Sequence, residues 1–221
     1  MRGISRFINY LLCIPKSIYV NARLCPKHLW KLPILVSYKT KINDLSGNAH
    51  LQTTHIYPGM IRFGFSSIEH FDTKTARCIL SIAGDIEFSG KSKIGTGTAL
   101  HINRGAYLKL GANIKISSNS KVLCSDSIVI GDNALISWDV LIMDSNQHNI
   151  FHQGQPSTPQ PISIGDNVWV GCRSYIGKGV HIANNNVIAA NAVVIKSTDE
   201  EGCIIAGHPA QKIRDGITWQ E

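Results

Sequence analysis

Residues Ile164–Thr198 read IGDNVWVGCRSYIGKGVHIANNNVIAANAVVIKST. An aliphatic residue returns at every sixth place: Ile164, Val170, Ile176, Ile182, Ile188 and Val194. The position after it is small in the first five cases, Gly165, Gly171, Gly177, Ala183 and Ala189. Four residues after each aliphatic stand Val168, Ser174, Val180, Asn186, Ala192 and Thr198. A period of six fits neither a 3.6-residue helix nor a two-residue strand alternation. A run of hairpins would show two-residue turn signals instead. The spacing predicts a solenoid of short strands and sharp turns, in which each repeat rests on its neighbours. The aliphatic residue points into a narrow prism, the small residue lets the chain turn at close quarters, and coils stack at about 4.8 Å.

Outward from this stretch the pattern weakens. A six-residue spacing runs through Ile82, Phe88, Ile94 and Leu100, is disturbed at 104–111, and resumes at Leu110, Ile116, Val122 and Ile128. It then shifts by two to Ile130, Ile136 and Ile142, which fits longer corners or a small bulge. About five or six coils of eighteen residues are expected. Residues 21–80 are irregular, with Pro26, Pro33 and Pro58, and lead into the solenoid. The division expected is a helical or irregular segment over 1–50, the solenoid over 51–205, and a tail over 206–221.

One large break interrupts the repeat. Between Ile142 and Ile164 lies MDSNQHNIFHQGQPSTPQP, rich in Pro and Gly and almost without periodic apolar residues. It reads as an external loop over 143–161. Loops on a rigid scaffold are where chemistry usually sits.

Composition narrows the classes. An apolar content of 43% and a charged content of 17% suit a globular chain with a dry, repetitive core. Six scattered cysteines with no C-x-x-C pair argue against a zinc knot or thioredoxin motif, and reduced cytoplasmic thiols are the plain reading. The net charge of +7 is uneven: residues 1–41 hold eight Lys/Arg and no acid, and the rest holds fourteen bases against fifteen acids. The chain as a whole is therefore not expected to bind polyanions, nucleic acid included, and its N-terminal segment is the one candidate for such binding. In MRGISRFINYLLCIPKSIYV, residues 1–20, Ile4, Phe7, Ile8, Leu11 and Leu12 share one helical stripe. That run is too short to span a bilayer and lacks a small-x-small cleavage site. Two readings stay open: a helix packed on the solenoid end or on a neighbouring subunit, or one docked on anionic lipid at the inner membrane face.

The segment IGDNVWVGCRSYIGKGVHIANNNVIAANAVVIK, followed by IIAGHPAQKIR, resembles the C-terminal half of the hexapeptide-repeat acyltransferases. The branch it is most similar to acetylates sugars in bacterial capsule, O-antigen and exopolysaccharide assembly. That resemblance implies a left-handed parallel β-helix, a homotrimer, acetyl-CoA as donor, a sugar or glycan acceptor, and no metal. The loop opening Met143-Asp144-Ser145-Asn146-Gln147-His148 is similar to the family's D-T-D-x-H stretch, which implies His148 as the catalytic base. An imidazole suits the task, since a sugar hydroxyl is a poor nucleophile near neutral pH. Asp144 either orients His148 or caps the turn. Asn146 stands where the family has a second aspartate, and His152 is the rival base. Val168–Gly171 matches the family's V-W-I-G, so the resemblance sets Trp169 beside the acyl arm, with Cys172 and Ala190 offering backbone groups. It also sets Lys196 near the adenosine phosphates and Gly207 in a terminal A-G-x-P-A turn beside the cofactor. Arg173, Lys178, Lys212 and Arg214 are further sources of positive charge there, and Trp138 and Asp139 are candidates for the acceptor site. No G-x-S-x-G motif is present, which favours direct attack on the thioester over an acyl-enzyme. Other acceptors on the same scaffold, an amino sugar or serine, are the alternative. A metal-dependent or non-catalytic β-helix is disfavoured, because no coil carries a matching histidine pair.

Overall fold

The computed structural model describes residues 2–65, 71–72 and 75–220, and side chains from residue 9 onward. After helix α1 (Arg2–Leu24) and a 3-10 turn over Pro26–Lys31, the chain winds through seven three-sided coils among the described residues. The first coil is β1 (Ile34–Val36), β2 (Lys41–Asp44) and β3 (Asn48–Leu51); the second is β4 (Ile61–Phe63), β5 (Ile79–Ile82) and β6 (Asp85–Phe88). The third is β7 (Ser92–Ile94), β8 (Ala99–Ile102) and β9 (Tyr107–Leu110), and the fourth is β10 (Ile114–Ile116), β11 (Lys121–Cys124) and β12 (Ser127–Ile130). In the fifth, β13 (Leu135–Ile136) and β14 (Leu141–Met143) are parted from β17 (Ile162–Ile164) by a projecting hairpin, β15 (Phe151–His152) and β16 (Gln155–Pro156). Coil six is β18 (Trp169–Val170), β19 (Tyr175–Ile176) and β20 (His181–Ile182); coil seven is β21 (Val187–Ile188), β22 (Val193–Val194) and a single bridge at Thr198. The chain ends on β23 (Ile204–Gly207) and β24 (Ala210–Arg214), an antiparallel pair at the edge of the first sheet.

Each side of the prism is one sheet of parallel strands. Face A runs β1-β4-β7-β10-β13-β18-β21-β23, face B runs β2-β5-β8-β11-β14-β19-β22, and face C runs β3-β6-β9-β12-β17-β20. The left-handed parallel β-helix expected from the sequence is the architecture observed. The core is the column of residues that the six-residue spacing singled out: Ile164, Val170, Ile176, Ile182, Ile188 and Val194 are each at most 1% exposed. Burying each such side chain contributes about 1.5–3 kcal/mol.

The corners explain the rest of the repeat. Three residues after each of the first five aliphatics the backbone turns left-handed, at Asn167, Arg173, Gly179, Asn185 and Asn191, and earlier at Asn113, Asn119, Asn133 and Asp139. Asparagine tolerates that region better than most residues. The small position is set by the next coil: a Cβ on Gly165 would stand 2.4 Å from Asn184 Oδ1 and 2.8 Å from its backbone nitrogen. Hydroxyls inside the corners bind the coil above, as when Ser120 donates to Ser137 O at 2.8 Å and Ser174 to Ala189 O at 2.9 Å. The shift by two at Ile128 to Ile130 is neither a bulge nor a slip. Strand β12 has four residues and points both isoleucines inward, under Ile162 and Ile164.

One boundary and the number of coils differ from the sequence reading. The solenoid begins at Ile34, inside the segment assigned to 1–50, and has seven coils rather than five or six. Its early corners are long, between β3 and β4 and between β4 and β5, so no six-residue spacing marks them. At the other end, parallel stacking of β23 on β21 runs to Ile205, and β24 then turns back along β23.

Helix α1 closes the first coil, where β1 would present a bare strand edge. Asn21 donates to Ile34 O at 2.7 Å and accepts from Ile34 N at 3.1 Å, while Ser17 Oγ accepts from Val36 N at 2.9 Å. Both side chains are buried. The helix runs through Pro15 without interruption.

Candidate active site

The corner between faces B and C is tight in most coils and opens at coil five into the hairpin. The loop begins at Asp144, since Met143 still pairs with Leu123 in face B. Asp144 follows at an inward position beside Cys124 and is fully buried. Its carboxylate accepts Ser125 N at 2.7 Å and Asp126 N at 2.8 Å, so it holds the corner of the coil below. No hydrogen bond joins it to His148 among the described residues. Of the two roles open to Asp144, the geometry fills the cap. Burial, and then the nearby Asp144 carboxylate, push the Cys124 thiol up to about 12.

Beyond Asp144 the loop is tied down by its stem. Asn146 donates to Ser157 Oγ at 2.8 Å, and Gln147 donates to Ser145 Oγ at 3.0 Å. Lys178 Nζ donates to Ser157 Oγ and, at 3.0 Å, to Thr158 O. A polar chain continues down the prism edge from Ser145 through Ser125 and Asn103 to His101. Asn146 therefore braces the loop, and Lys178, one of the candidate phosphate contacts, is spent on the same task. Lys212, another, pairs with Glu200 at 2.6 Å. With its stem fixed, the loop presents His148 exposed after the left-handed Gln147, and His152 exposed on β15.

The remaining candidates lie mostly along a different edge. Val170 registers with Ile136 and Ile188, which sets Trp138, Cys172 and Ala190 in one column at the corner of faces A and B. Arg173 N bonds Trp138 O at 3.1 Å and Asn191 N bonds Cys172 O at 2.9 Å, locking that column. Asp139 takes the left-handed corner position, φ 57°, that Asn119 and Asn191 occupy in other coils. Trp169 lies on face A, 38% exposed, donating to Ser137 Oγ at 3.0 Å. Gly207, φ 102°, is exposed in the turn between β23 and β24. Lys196 is exposed and stands on the loop's edge, two coils beyond Asp144. Face B separates the two edges by a strand of about three residues, or about 10 Å. A single chain thus sets His148 and Asn146 on one edge and Trp138, Asp139, Cys172 and Ala190 on another.

Sequence reasoning missed Trp219. Its indole donates to Asn167 O at 2.7 Å and packs against Trp169 with ring centroids 5.9 Å apart. No periodicity marks it, because the tail returns along the corner of faces C and A rather than forming a coil. Among the described residues no group of three His, Cys, Asp or Glu side chains is placed to hold a metal.

A prism of six-residue repeats with one extruded loop defines a hexapeptide-repeat protein. Residues 161–196 match the family model described as bacterial transferase hexapeptide (six repeats). A putative acetyltransferase of Saccharomyces cerevisiae is 48% identical over 54 residues, 24% of this chain and 27% of that protein. The galactoside O-acetyltransferase of Escherichia coli is 42% identical over 55 residues, 25% and 27% of the two chains. The aligned part thus spans about a quarter of these two relatives. An uncharacterized 24.8 kDa protein in the cps region of Klebsiella pneumoniae is 27% identical over 192 residues, covering 87% of this chain and 83% of that one. Among solved structures, the polySia specific acetyltransferase NeuO superposes with a TM-score of 0.66 at 23% identity, over 85% of this chain and 82% of the other, a likeness of fold. The chain thus carries, over residues 161–196, a stretch that matches the bacterial transferase hexapeptide family, and as a whole it shares the fold of that solved structure.

Proposed function

We propose that this protein is an O-acetyltransferase that moves acetyl from acetyl-CoA to a hydroxyl of a bacterial surface glycan or its sugar precursor. The observation that carries the reading is the exposed imidazole of His148 on the loop that breaks coil five. The acetyltransferases similar to the repeat segment and the relative in a cps region support it. In this mechanism His148 takes the proton of the acceptor hydroxyl as its oxygen attacks the thioester carbonyl. The tetrahedral oxyanion is met by backbone N–H groups. Its collapse breaks the C–S bond, and the imidazolium returns its proton to the departing thiolate. No covalent acyl-enzyme forms.

The donor lies against the column of Cys172 and Ala190, beside Trp169 and the Gly207 turn, while Lys196, on the same edge as His148, reaches its phosphates from the copy that brings His148. Because that column and His148 occupy different edges of one prism, the site is completed between protomers of a homotrimer. His148 of one copy meets the donor column of the next. Mixing His148→Ala subunits with subunits damaged at the donor column tests this: a hybrid trimer regains part of the lost rate, and two inactive parents that stay inactive when mixed would overturn it.

At the N-terminal end, the packed and lipid-docked readings of α1 apply to opposite sides of one helix. Ser17, Val20, Asn21 and Leu24 are buried against the solenoid, while Leu11, Leu12, Ile14, Ile18 and Tyr19 are exposed, as is Trp30 at 95%. No helix among the described residues is long and apolar enough to cross a membrane. This outer face, within a segment of eight bases and no acid, docks peripherally on anionic lipid at the cytoplasmic face of the membrane. Leu11→Asp with Ile18→Asp should lower binding to anionic vesicles and leave folding unchanged.

Thiol release from acetyl-CoA with a panel of acceptors tests the activity. A glycan-dependent release that falls by about two to four orders of magnitude in His148→Ala supports it. Release with serine or an amino sugar alone assigns the scaffold to another acceptor.

A further inference from the structure

After β24 the C-terminal tail doubles back along the corner of faces C and A. Ile217 N donates to Gly202 O at 2.9 Å, at the turn that leads into β23. Two corners back, at the start of coil six, the Trp219 indole donates to Asn167 O at 2.7 Å. No described residue after Ile205 is buried, so the tail adds little to the core. What it reaches instead is one side chain. The Trp219 ring packs on Trp169, with centroids 5.9 Å apart and planes at 44°.

Trp169 stands outward on face A between Leu135 and Val187, its partners in register. Contacts from both corners of that face set its direction. The Trp169 ring nitrogen donates to Ser137 Oγ at 3.0 Å, and Ser137 is the residue before Trp138, so this end of the indole points toward the corner of faces A and B. Trp219 holds the ring from the side of faces C and A, where Asn167 lies. At 38% exposure, an indole kept by one hydrogen bond alone would visit other rotamers. A ligand packing on it would then have to order it, which weakens binding. An aromatic partner supplies that order in advance.

We propose that Trp219 is a positioning residue for donor binding. It acts through Trp169 and keeps that indole in the pose that receives the acyl arm of acetyl-CoA. The assignment rests on the reading that the donor lies beside Trp169, and it deepens that reading in one respect. Trp219 and Trp169 belong to one chain, so this wall of the donor site is complete within a protomer, whereas His148 comes from its neighbour. Trp219 takes no part in the proton transfer, so it sets affinity and leaves the titration of the base alone.

The test is calorimetric titration of the full chain with acetyl-CoA, beside transfer kinetics, in Trp219→Ala, Trp219→Phe, Trp169→Ala and the double alanine variant, with denaturant unfolding as the check on folding. Trp219→Ala should weaken acetyl-CoA binding and raise its KM about two- to tenfold, with kcat and the pH–rate profile unchanged. Trp219→Phe keeps a ring against Trp169 and should recover most of the affinity. In the Trp169→Ala background, removal of Trp219 should add no further loss, because nothing remains for it to hold. Without any donor, the coupled indole signal in circular dichroism should vanish in either single alanine variant. Affinity lost in Trp169→Ala but kept in Trp219→Ala overturns the proposal alone, as do losses that add in the double variant or that follow a loss of stability. Affinity kept in Trp169→Ala overturns the placement of the donor, and the proposal with it.

Discussion

The corner of faces C and A and the corner of faces B and C are made by the same coils, yet they are used in opposite ways. At the first, each turn is committed to the turn beside it: Asp132 binds the coil below, Asp166 binds Asp132 N, Asn184 binds Asp166 N, and Gly165 lies where a Cβ would strike Asn184. At the second, coil five releases its chain into a hairpin after Asp144 has sealed the coil beneath. Stacking therefore engages the carboxylates and asparagines of the unbroken corner, whereas the broken one leaves the His148 imidazole exposed. The groups that hold the hairpin's stem, Asp144, Asn146 and Lys178, mark where holding ends and presentation begins.

That contrast can be broken most severely at Asp144. Asp144→Ala removes a buried acceptor of several amide bonds and should cost about 4 kcal/mol in denaturant unfolding. Asp144→Asn, which keeps one acceptor, should recover part of that loss and leave the pH–rate profile of transfer unmoved; a displaced profile would restore the orienting role. Gly165→Ala, on the unbroken corner, forces a methyl against Asn184 backbone and side chain and should cost about 2–3 kcal/mol. Gly154→Ala, at the hairpin tip, meets nothing within 4 Å and carries only the strain of φ +76°, about 1 kcal/mol. Equal losses at the two glycines would mean that the hairpin packs as tightly as the coils.

The later half of the fold was legible because its inward aliphatics return without a slip, and the loop was legible as the place where they stop. The asparagines at the left-handed corners, Asn167, Asn185 and Asn191, repeat with the same period and carry a second, unused signal. The first coils were not legible, since Ile34–Val36 and Ile61–Phe63 are separated by long corners that hide any repeat. The edge-sealing role of Ser17 and Asn21 was also out of reach, because polar residues on the buried side of an amphipathic helix read as a flaw in its stripe. Of the site residues, Asp144 was left open between two roles by the sequence, and the structure turns its side chain inward. Whether a side chain after a strand points in or out depends on the register of the coil below, and Cys124 sets it inward.

The outward-facing residues of faces C and A give the smallest and most specific test. On face C, burial pushes the Glu87 carboxyl up, but hydrogen bonds from Tyr107, 2.8 Å, and Lys109 outweigh it and hold the group below its ordinary range. Burial and the Glu87 carboxylate push the Tyr107 hydroxyl up to about 12. A carboxyl depressed on folding stabilises fully above its unfolded value, about 4.3, and loses that contribution as pH falls through the lower folded value. Glu87→Gln should therefore reduce stability at pH 7 by less than about 1 kcal/mol and flatten the acid limb of the stability curve below about pH 5. Face A behaves in the opposite sense. Arg62 stands beside Lys93 in register, with no carboxylate on either rung, so Lys93→Gln should leave the acid limb alone and raise stability slightly at low salt, with the gain fading as salt screens the pair. A gain that persists in high salt would mean that repulsion between Arg62 and Lys93 is not what the folded chain carries.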